Sequence, residues 1–386
     1  MINYLLTEEQ EMIRDLCRQI TDEKIRPVAA ELDKTEEFPW EIMKVMAKSD
    51  LFGLYIDEKY GGMGGGILEL SIATEEFSKG CGGIAICYAA SALGTLPILI
   101  LGSEEQKQKY IPDLAAGKHL AAFGITEPAA GSDASAMQTT AVKKGDKYIL
   151  NGTKHFITNG GEAEIYTVVA MTDKSKGSRG ASIFIVEKGT PGFTFGKKED
   201  KLGIRASATN ELNFVDCEIP AENLLGKEGQ GFIGAMRVFD KSRPGIGAQA
   251  VGIAQGALDH AIRYARERKQ FGKSISSFQG IQFMLADMAT QVEAARALVY
   301  ASAREVDSGV TKNYGMHSAM SKLYASDVAM KVTTDAVQIF GGYGYMKEYP
   351  VEKYMRDAKI TQIYEGTNQI QRSIIALGLI KEAAGS

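Results

Sequence analysis

Glu365 lies in Gln362-Ile-Tyr-Glu-Gly-Thr-Asn-Gln369, just ahead of a predicted helix start for which Thr367 or Asn368 suits the N-cap. With Gly366 behind it, Glu365 suits a loop carboxylate held beside a ligand, where a general base needs reach and a tuned pKa. A solvated glutamate ahead of a helix satisfies the same local pattern. A second segment, Phe123-Gly-Ile-Thr-Glu-Pro-Ala-Ala-Gly-Ser-Asp133, combines Thr126, Ser132 and Asp133 with two glycines and a proline. Such a run leaves backbone N–H groups free for an acceptor-rich ligand, or simply connects two elements. Arg268-Lys-Gln-Phe-Gly-Lys273 follows a helical run. Its guanidinium fork suits phosphate oxygens, and the same placement complements a helix C-terminus. Gln338-Ile-Phe-Gly-Gly-Tyr-Gly344 sheds side-chain bulk, either for a close approach to the backbone or for a helix C-cap turn.

Several chemistries are disfavoured. Tyr60-Gly-Gly-Met-Gly-Gly-Gly66 sits between helical segments, whereas a dinucleotide fingerprint needs strand, turn and helix in that order. It reads as a surface loop. Cys17, Cys81, Cys87 and Cys217 lack zinc-site spacing and read as buried thiols in a reducing compartment. His119, His155, His260 and His317 form no metal motif, so no metal is expected. Lys and Arg total 44 against 48 Asp and Glu, a net charge of −4 without the basic excess of a nucleic-acid binder. The amino terminus has no basic region leading into an apolar run, and the apolar stretch Ala89–Leu101 is too short to span a bilayer. A soluble cytoplasmic protein, or a matured organellar one, with no membrane partner is the expectation.

The elements that must hold these segments follow an α, β, α order over 386 residues. Residues 1–120 read helical, opening on a Thr7/Gln10 capping box with apolar Met12, Ile13, Leu16 and Ile20 at helical spacing. Residues 121–230 carry short β-branched and aromatic runs separated by Gly, Asn, Asp and Pro, the pattern of an antiparallel β-domain. Residues 231–386 turn helical again. Ile246–Glu267 and Phe278–Asp307 are long periodic runs that suit a bundle.

Six segments together resemble the flavin-dependent acyl-CoA dehydrogenase family, in order and over essentially the whole chain. They are Phe123–Asp133, Phe156–Asn159, Arg268–Gly272, Gln338–Gly342, Arg356–Lys359 and Tyr364–Thr367. The resemblance implies an α+β protein with an N-terminal α-helical domain, a middle β-barrel-like domain and a C-terminal four-helix bundle. It implies non-covalent FAD and a homotetramer. Phe123, Ile125 and Thr126, with Phe156, Ile157 and Thr158, match the segments lining the flavin ring; many relatives carry Trp at the position of Phe156. Arg268, Phe271, Gln279, Gln338, Gly341 and Gly342 match pyrophosphate and adenosine contacts, some of which reach a neighbouring subunit's FAD in the family. Thr367 and Gln369 match further cofactor contacts.

On the substrate side, Ser132 resembles an acyl-CoA contact, and Asp240 with Arg243 the grip on the CoA moiety. Tyr88 and Ser91 align with the helix lining the acyl pocket, Tyr88 as a residue that shortens it. Tyr364 and Gly366 flank Glu365, which matches the family's catalytic base. Isovaleryl- and long-chain-type relatives carry the base just before the arginine matching Arg243. Ser242 stands there and cannot serve. The implied reaction removes the α-proton to Glu365 and the β-hydride to flavin N5. The backbone N–H of Glu365 and a ribityl hydroxyl hold the thioester carbonyl, and an electron-transferring flavoprotein accepts the electrons. The expected substrate is a short, branched or alicyclic acyl-CoA of roughly C4 to C8, with overlap between chain lengths. Rival readings are an acyl-CoA oxidase, an enoyl-CoA reductase running in reverse, and a non-enzyme helical scaffold.

Overall fold

The computed structural model describes residues 4–310 and 314–385; the first three residues of the amino-terminal segment read above lie outside them. The chain opens with α1 (Glu8–Ile20), α2 (Ala29–Thr35), α3 (Trp40–Lys48), α4 (Ile67–Ser78), α5 (Gly82–Leu101) and α6 (Glu104–Ala115). Thr7 caps α1 in the expected box: its hydroxyl accepts from Gln10 N at 3.2 Å, and Gln10 Oε1 accepts from Thr7 N at 3.1 Å. Ile13, Cys17 and Ile20 turn inward, while Met12 and Leu16 of the same apolar set stay exposed.

Helix α5 corrects the length read for Ala89–Leu101, though not its expected burial. That stretch is the last 13 residues of a 20-residue helix, long and apolar enough to cross a membrane by length and composition. Here it is a core helix, with Ile84, Cys87, Tyr88 and Ile98 fully enclosed. Gly94 lets the next strand lie directly against it, since a Cβ there would stand 2.5 Å from Ala122 N.

Strands β1 (Ala121–Gly124), β2 (Thr140–Lys144), β3 (Lys147–Thr158), β4 (Ile165–Met171), β5 (Ala181–Glu187), β6 (Phe193–Lys198), β7 (Thr209–Pro220) and β8 (Leu224–Leu225) follow. They form one eight-stranded sheet in the order β6-β7-β3-β2-β4-β5-β8, with β1 added on β4. The sheet is mixed where the sequence suggested antiparallel, because β1 pairs with β4 in parallel, as does a single β2–β4 bridge. The physical reason is connectivity: β1 leads into a long loop and the β2–β3 hairpin before β4, so it runs alongside β4 in the same sense.

The last part holds α7 (Gly231–Glu267), a two-stranded hairpin β9 (Lys269–Gln270) and β10 (Lys273–Ser274), then α8 (Gln279–Ser308), α9 (Gly315–Phe340), α10 (Val351–Thr361) and α11 (Asn368–Gly385). Helix α7 runs unbroken through Pro244. Proline removes one intrahelical hydrogen bond, and dense burial of α7 against α4, α8 and α9 offsets that cost. One large core joins both helical parts to the sheet. A separate small cluster matters for function: Ile86, Ile204 and Ile246, with Ala89, Ile360 and Tyr364 packed against them.

Candidate active site

The turn after α10 is shaped by two left-handed residues, Glu365 (φ 49°) and Gly366 (φ 89°). Glycine takes such a conformation freely; glutamate does so at a cost that its surroundings must offset. They do so with donors to the backbone. Gln371 Nε2 donates to Glu365 O at 3.1 Å and Gly366 O at 2.9 Å, and Lys322 Nζ donates to Gly366 O at 2.8 Å. Thr367 starts α11 by accepting from Ile370 N at 3.3 Å.

The Glu365 carboxylate points at α7. Ser242 Oγ donates to its Oε2 at 2.6 Å. Burial pushes the carboxyl up to about 7; the Ser242 hydroxyl, then Arg243 and Lys322, pull the other way. Arg243 is buried and donates to Asp240 at 2.8 Å, yet its Nε has no partner. Burial raises the Asp240 pKa against the opposing pull of Arg243. The residue before Glu365, Tyr364, packs on the small apolar cluster. Tyr364 donates its hydroxyl to Gln249 Oε1, and Gln249 Nε2 donates to Gly82 O at 3.0 Å, so the ring is fixed as a wall.

The β-domain contributes an unusual surface. The β3–β7 register breaks between Lys154 and Ile157, and Phe156 adopts φ 58°. This bulge turns Phe156 outward, 60% exposed, while Ile157 goes inside. His155 N donates to Thr126 O at 2.8 Å, tying this edge to the Phe123–Thr126 segment. Phe123 meets Phe239 of α7 edge-on at 5.7 Å, close in sequence to Asp240 and Ser242. Thr158 pairs with Thr209, whose buried hydroxyl lacks a partner. Lys154 is fully enclosed and bonds to Ile125 O at 3.1 Å and Glu127 at 2.7 Å, which fixes the backbone beside Thr126.

A third group lies elsewhere. Arg268, Gly341 and Gly342 line one open groove of about 510 Å³, with Tyr264, Phe340 and Tyr343. Arg268 stacks over Tyr343 at 5.3 Å. Nothing lies within 4 Å of a Cβ built on Gly341 or Gly342. Phe271 tips the β9–β10 hairpin at 91% exposure, with Gln279 exposed at the start of α8 and Gln338 exposed near the end of α9. Along α7, Ser242 and Arg268 are separated by 26 positions, about 39 Å at 1.5 Å per residue.

The structure therefore brings Glu365, Tyr364, Gly366, Thr367, Arg243 and Asp240 into one neighbourhood, with Phe123 touching its edge. Ser132 is exposed on its loop and Gln369 is exposed on the first turn of α11. Tyr88 does not join the Glu365 group. Its hydroxyl donates to Leu51 O at 2.8 Å, and its ring packs on Phe52 and Phe77 inside the main core. The reason is helical phase: Ile86 and Ala89 take the face of α5 toward Tyr364, so Tyr88 takes another. Ser91 is buried at the α5–β1 joint, accepting from Ala121 N at 3.0 Å. Sequence reasoning missed Lys322 and Gln249. Both are polar residues on otherwise buried helical faces, Ala319-Lys322-Ser326-Ala329 and Ile246-Gln249-Ile253, and that break in pattern was the available signal.

A helical domain, a β-sheet domain and a helical domain that converge on a half-buried acid define a class, and comparison with known proteins gives it a name. Family models for the acyl-CoA dehydrogenase N-terminal, middle and C-terminal domains match residues 7–118, 122–217 and 229–380. The chain belongs to the acyl-CoA dehydrogenase family. It is 52% identical to an acyl-CoA dehydrogenase of Bacillus subtilis, covering 97% of this chain and 99% of that protein. It is 50% identical to a short-chain-specific acyl-CoA dehydrogenase of Clostridium acetobutylicum, with the same coverage. It is also 50% identical to an NADH-linked acryloyl-CoA reductase of Anaerotignum propionicum, covering 98% and 96%. Among solved structures, butyryl-CoA dehydrogenase from Megasphaera elsdenii superposes with a TM-score of 0.96 at 49% identity, covering 98% of this chain and all of that one. A chain from a structure described as the electron-transferring flavoprotein of Acidaminococcus fermentans matches with TM-score 0.96 and 55% identity, covering 98% and 99%. The protein is a flavoprotein oxidoreductase acting on acyl-CoA, with FAD as its cofactor. The residues present fit that group: an exposed aromatic on a strand bulge, an orphaned hydroxyl at Thr209 and a glycine groove open to a bulky ligand.

Proposed function

We propose that this chain catalyses α,β-dehydrogenation of a short acyl-CoA, with Glu365 as the base that removes the α-proton. The observation that carries this reading is the Glu365 carboxyl itself. It is hydrogen-bonded by Ser242 at 2.6 Å, its neighbour Tyr364 packs on an apolar cluster, and burial brings its pKa to about 7. A base of that strength is matched to neutral operation. Ser242 occupies the alternative base position and supports Glu365 instead of competing with it.

FAD when bound supplies acceptance of a hydride equivalent from the acyl β-carbon. Phe123, Ile125, Thr126, Phe156, Ile157 and Thr158 would hold its ring system, and Thr367 and Gln369 would add contacts at the start of α11. The turn at Glu365 and Gly366 presents the Glu365 backbone N–H, a donor suited to a thioester oxygen as negative charge develops. Asp240, Arg243 and Ser132 would take the CoA moiety. The unpartnered Nε of Arg243 supports that role.

Arg268, Phe271, Gln279, Gln338, Gly341 and Gly342 would hold the pyrophosphate and adenosine. They lie too far along α7 from Ser242 for one dinucleotide to touch both groups, which supports a groove serving a second copy in a homotetramer. The Tyr364–Gln249 pair, packed beside Ile86 and Ile246, suits an apolar acyl end, and the short-chain-specific relative supports a short one. The expected setting is the cytoplasm, and the expected electron acceptor is an electron-transferring flavoprotein. The reductase relative supports a second reading, the reverse reaction on a 2-enoyl-CoA.

Anaerobic titration with saturated acyl-CoAs tests this. Bleaching of the flavin spectrum by butyryl-CoA, without peroxide formation in air, is the expected result. No bleaching by any saturated chain, with oxidation of the reduced flavin by enoyl-CoA, would favour the reductase. Rapid peroxide formation would favour an oxidase.

A further inference from the structure

We propose that Lys322 is a positioning residue for Glu365: its ammonium locks the turn that aims the carboxylate and supplies the buried cation beside it. The proposal rests on Glu365 being the base. Lys322 is fully enclosed on α9, among the small buried residues Ser318, Ala319, Ser326 and Ala329. A buried lysine is costly unless its charge is answered. It donates to Gly366 O at 2.8 Å and to Asn368 Oδ1 at 2.9 Å. Asn368 is itself fixed, donating to Ser326 Oγ at 2.9 Å and Asp327 Oδ1 at 2.8 Å. Two backbone carbonyls of the catalytic turn are thus gripped from two sides, by Lys322 and Gln371.

A carbonyl anchor alone does not need a charge, because neutral Gln371 already provides one. The charged groups around Lys322 are Glu365 from the turn, Arg243 from α7 and Asp327 from its own helix. Arg243 is committed to Asp240, and Asp327 receives Gln362, Asn368 and Arg372. Glu365 is the largest charge partner of Lys322, and Lys322 joins Arg243 in favouring the ionised carboxylate. Burial pulls the Lys322 ammonium down to about 7, while Glu365 and Asp327 hold its proton on. A cation beside Glu365 favours its ionised form. Removing that charge makes the carboxyl harder to ionise and moves the acid limb of catalysis to higher pH.

The test uses holoenzyme carrying Lys322→Met or Lys322→Gln, with anaerobic stopped-flow bleaching by butyryl-CoA across the range from about pH 5.5 to 9. The expected result is a rate constant lowered by roughly 10- to 100-fold at neutral pH. The acid limb should rise by about one unit in both variants, with KM within about twofold of wild type. Lys322→Gln should keep more rate, because its amide still reaches toward Gly366 O. An unmoved limb, or a loss carried wholly by KM, would overturn the proposal. If Lys322→Met does not hold FAD, Lys322→Gln is read alone. Loss of flavin there too counts against the proposal, since a residue acting through Glu365 has no cofactor role. Glu365→Gln separates the two readings. If it turns over, the assignment of the base falls. If it is inert while the Lys322 variants keep the wild-type profile, only the Lys322 proposal falls.

Discussion

The turn at Glu365 and the groove at Arg268 both carry residues suited to a ligand, and they are built in opposite ways. Glu365 and Gly366 sit in left-handed backbone conformations, yet both carbonyls are held by donors and the carboxylate by Ser242. Around Gly341, Gly342 and Phe271 the chain provides almost nothing: open space at the glycines and a phenylalanine 91% exposed. A site that must move a proton is preorganised, because a misplaced base costs rate directly. A site that only has to receive a rigid ligand can stay open until the ligand and another copy of the chain complete it. On the proposed function, the first region serves the chemistry and the second the assembly, set apart along one 37-residue helix.

The largest expected effect falls on the turn. On the proposed function, Glu365→Gln should lower the rate of flavin bleaching by about a thousandfold or more while FAD stays bound, since Ser242, the nearest neighbour of the carboxylate, cannot take the proton. Wild-type bleaching in that variant would remove the contrast altogether. The same variant carries a stability signature. The carboxyl binds its proton more tightly in the folded state than in the unfolded chain, so its ionisation erodes stability as pH rises through about 7. Glutamine does not ionise. Thermal melts should show Glu365→Gln more stable than wild type near pH 8 by about 1–3 kcal/mol, with the gap closing below about pH 5.

The groove is tested by complementation. Arg268→Ala should weaken FAD retention by roughly 10- to 100-fold, the worth of a charged hydrogen bond to phosphate, measured by flavin content after gel filtration. If the groove serves another copy, co-expressing Arg268→Ala with Glu365→Gln should restore about a quarter of wild-type activity. Random pairing makes half of the pairs mixed, with one intact site each. No restoration would place both groups in one copy's site and break the comparison.

A smaller effect concerns the wall. Gln249→Leu frees the Tyr364 ring and should move the chain-length optimum upward by one or two methylenes, each worth about 1–3 kcal/mol in kcat/KM. An unchanged optimum would show that the wall does not set length. The smallest effect on the limiting rate is at Ser242. Its hydroxyl is the largest pull toward the ionised carboxylate, so Ser242→Ala should raise the acid limb of the pH–rate profile by at least as much as the Lys322 variants do, about one unit.

Much of the scaffold was legible in the chain. The Thr7/Gln10 box, the strand runs between residues 140 and 220 and the long periodic stretches of α7 and α8 depend on local rules, and local patterns report them. The parallel pairing of β1 on β4 was not legible, because which strands become neighbours is a long-range choice. Nor was the role of Tyr88. Sequence placed it on the right helix, but only packing against Phe52 and Phe77 showed which way it turns. Lys322 lies 43 positions before Glu365, and no local pattern links them.

By itself the sequence determined the α, β, α order, the capping of α1 and the segments that carry the family resemblance, and through that resemblance alone it pointed to Glu365 as the expected base. The order and the cap follow from residue type, spacing and nearest neighbours along the chain. Only the tertiary structure decided that Ser242 supports Glu365, that Gln249 fixes Tyr364, that Lys322 grips the turn and that Arg268 stands far from them all. Proton affinity and reach depend on burial and on charges brought together from distant parts of the chain, and those exist only once the helices have packed.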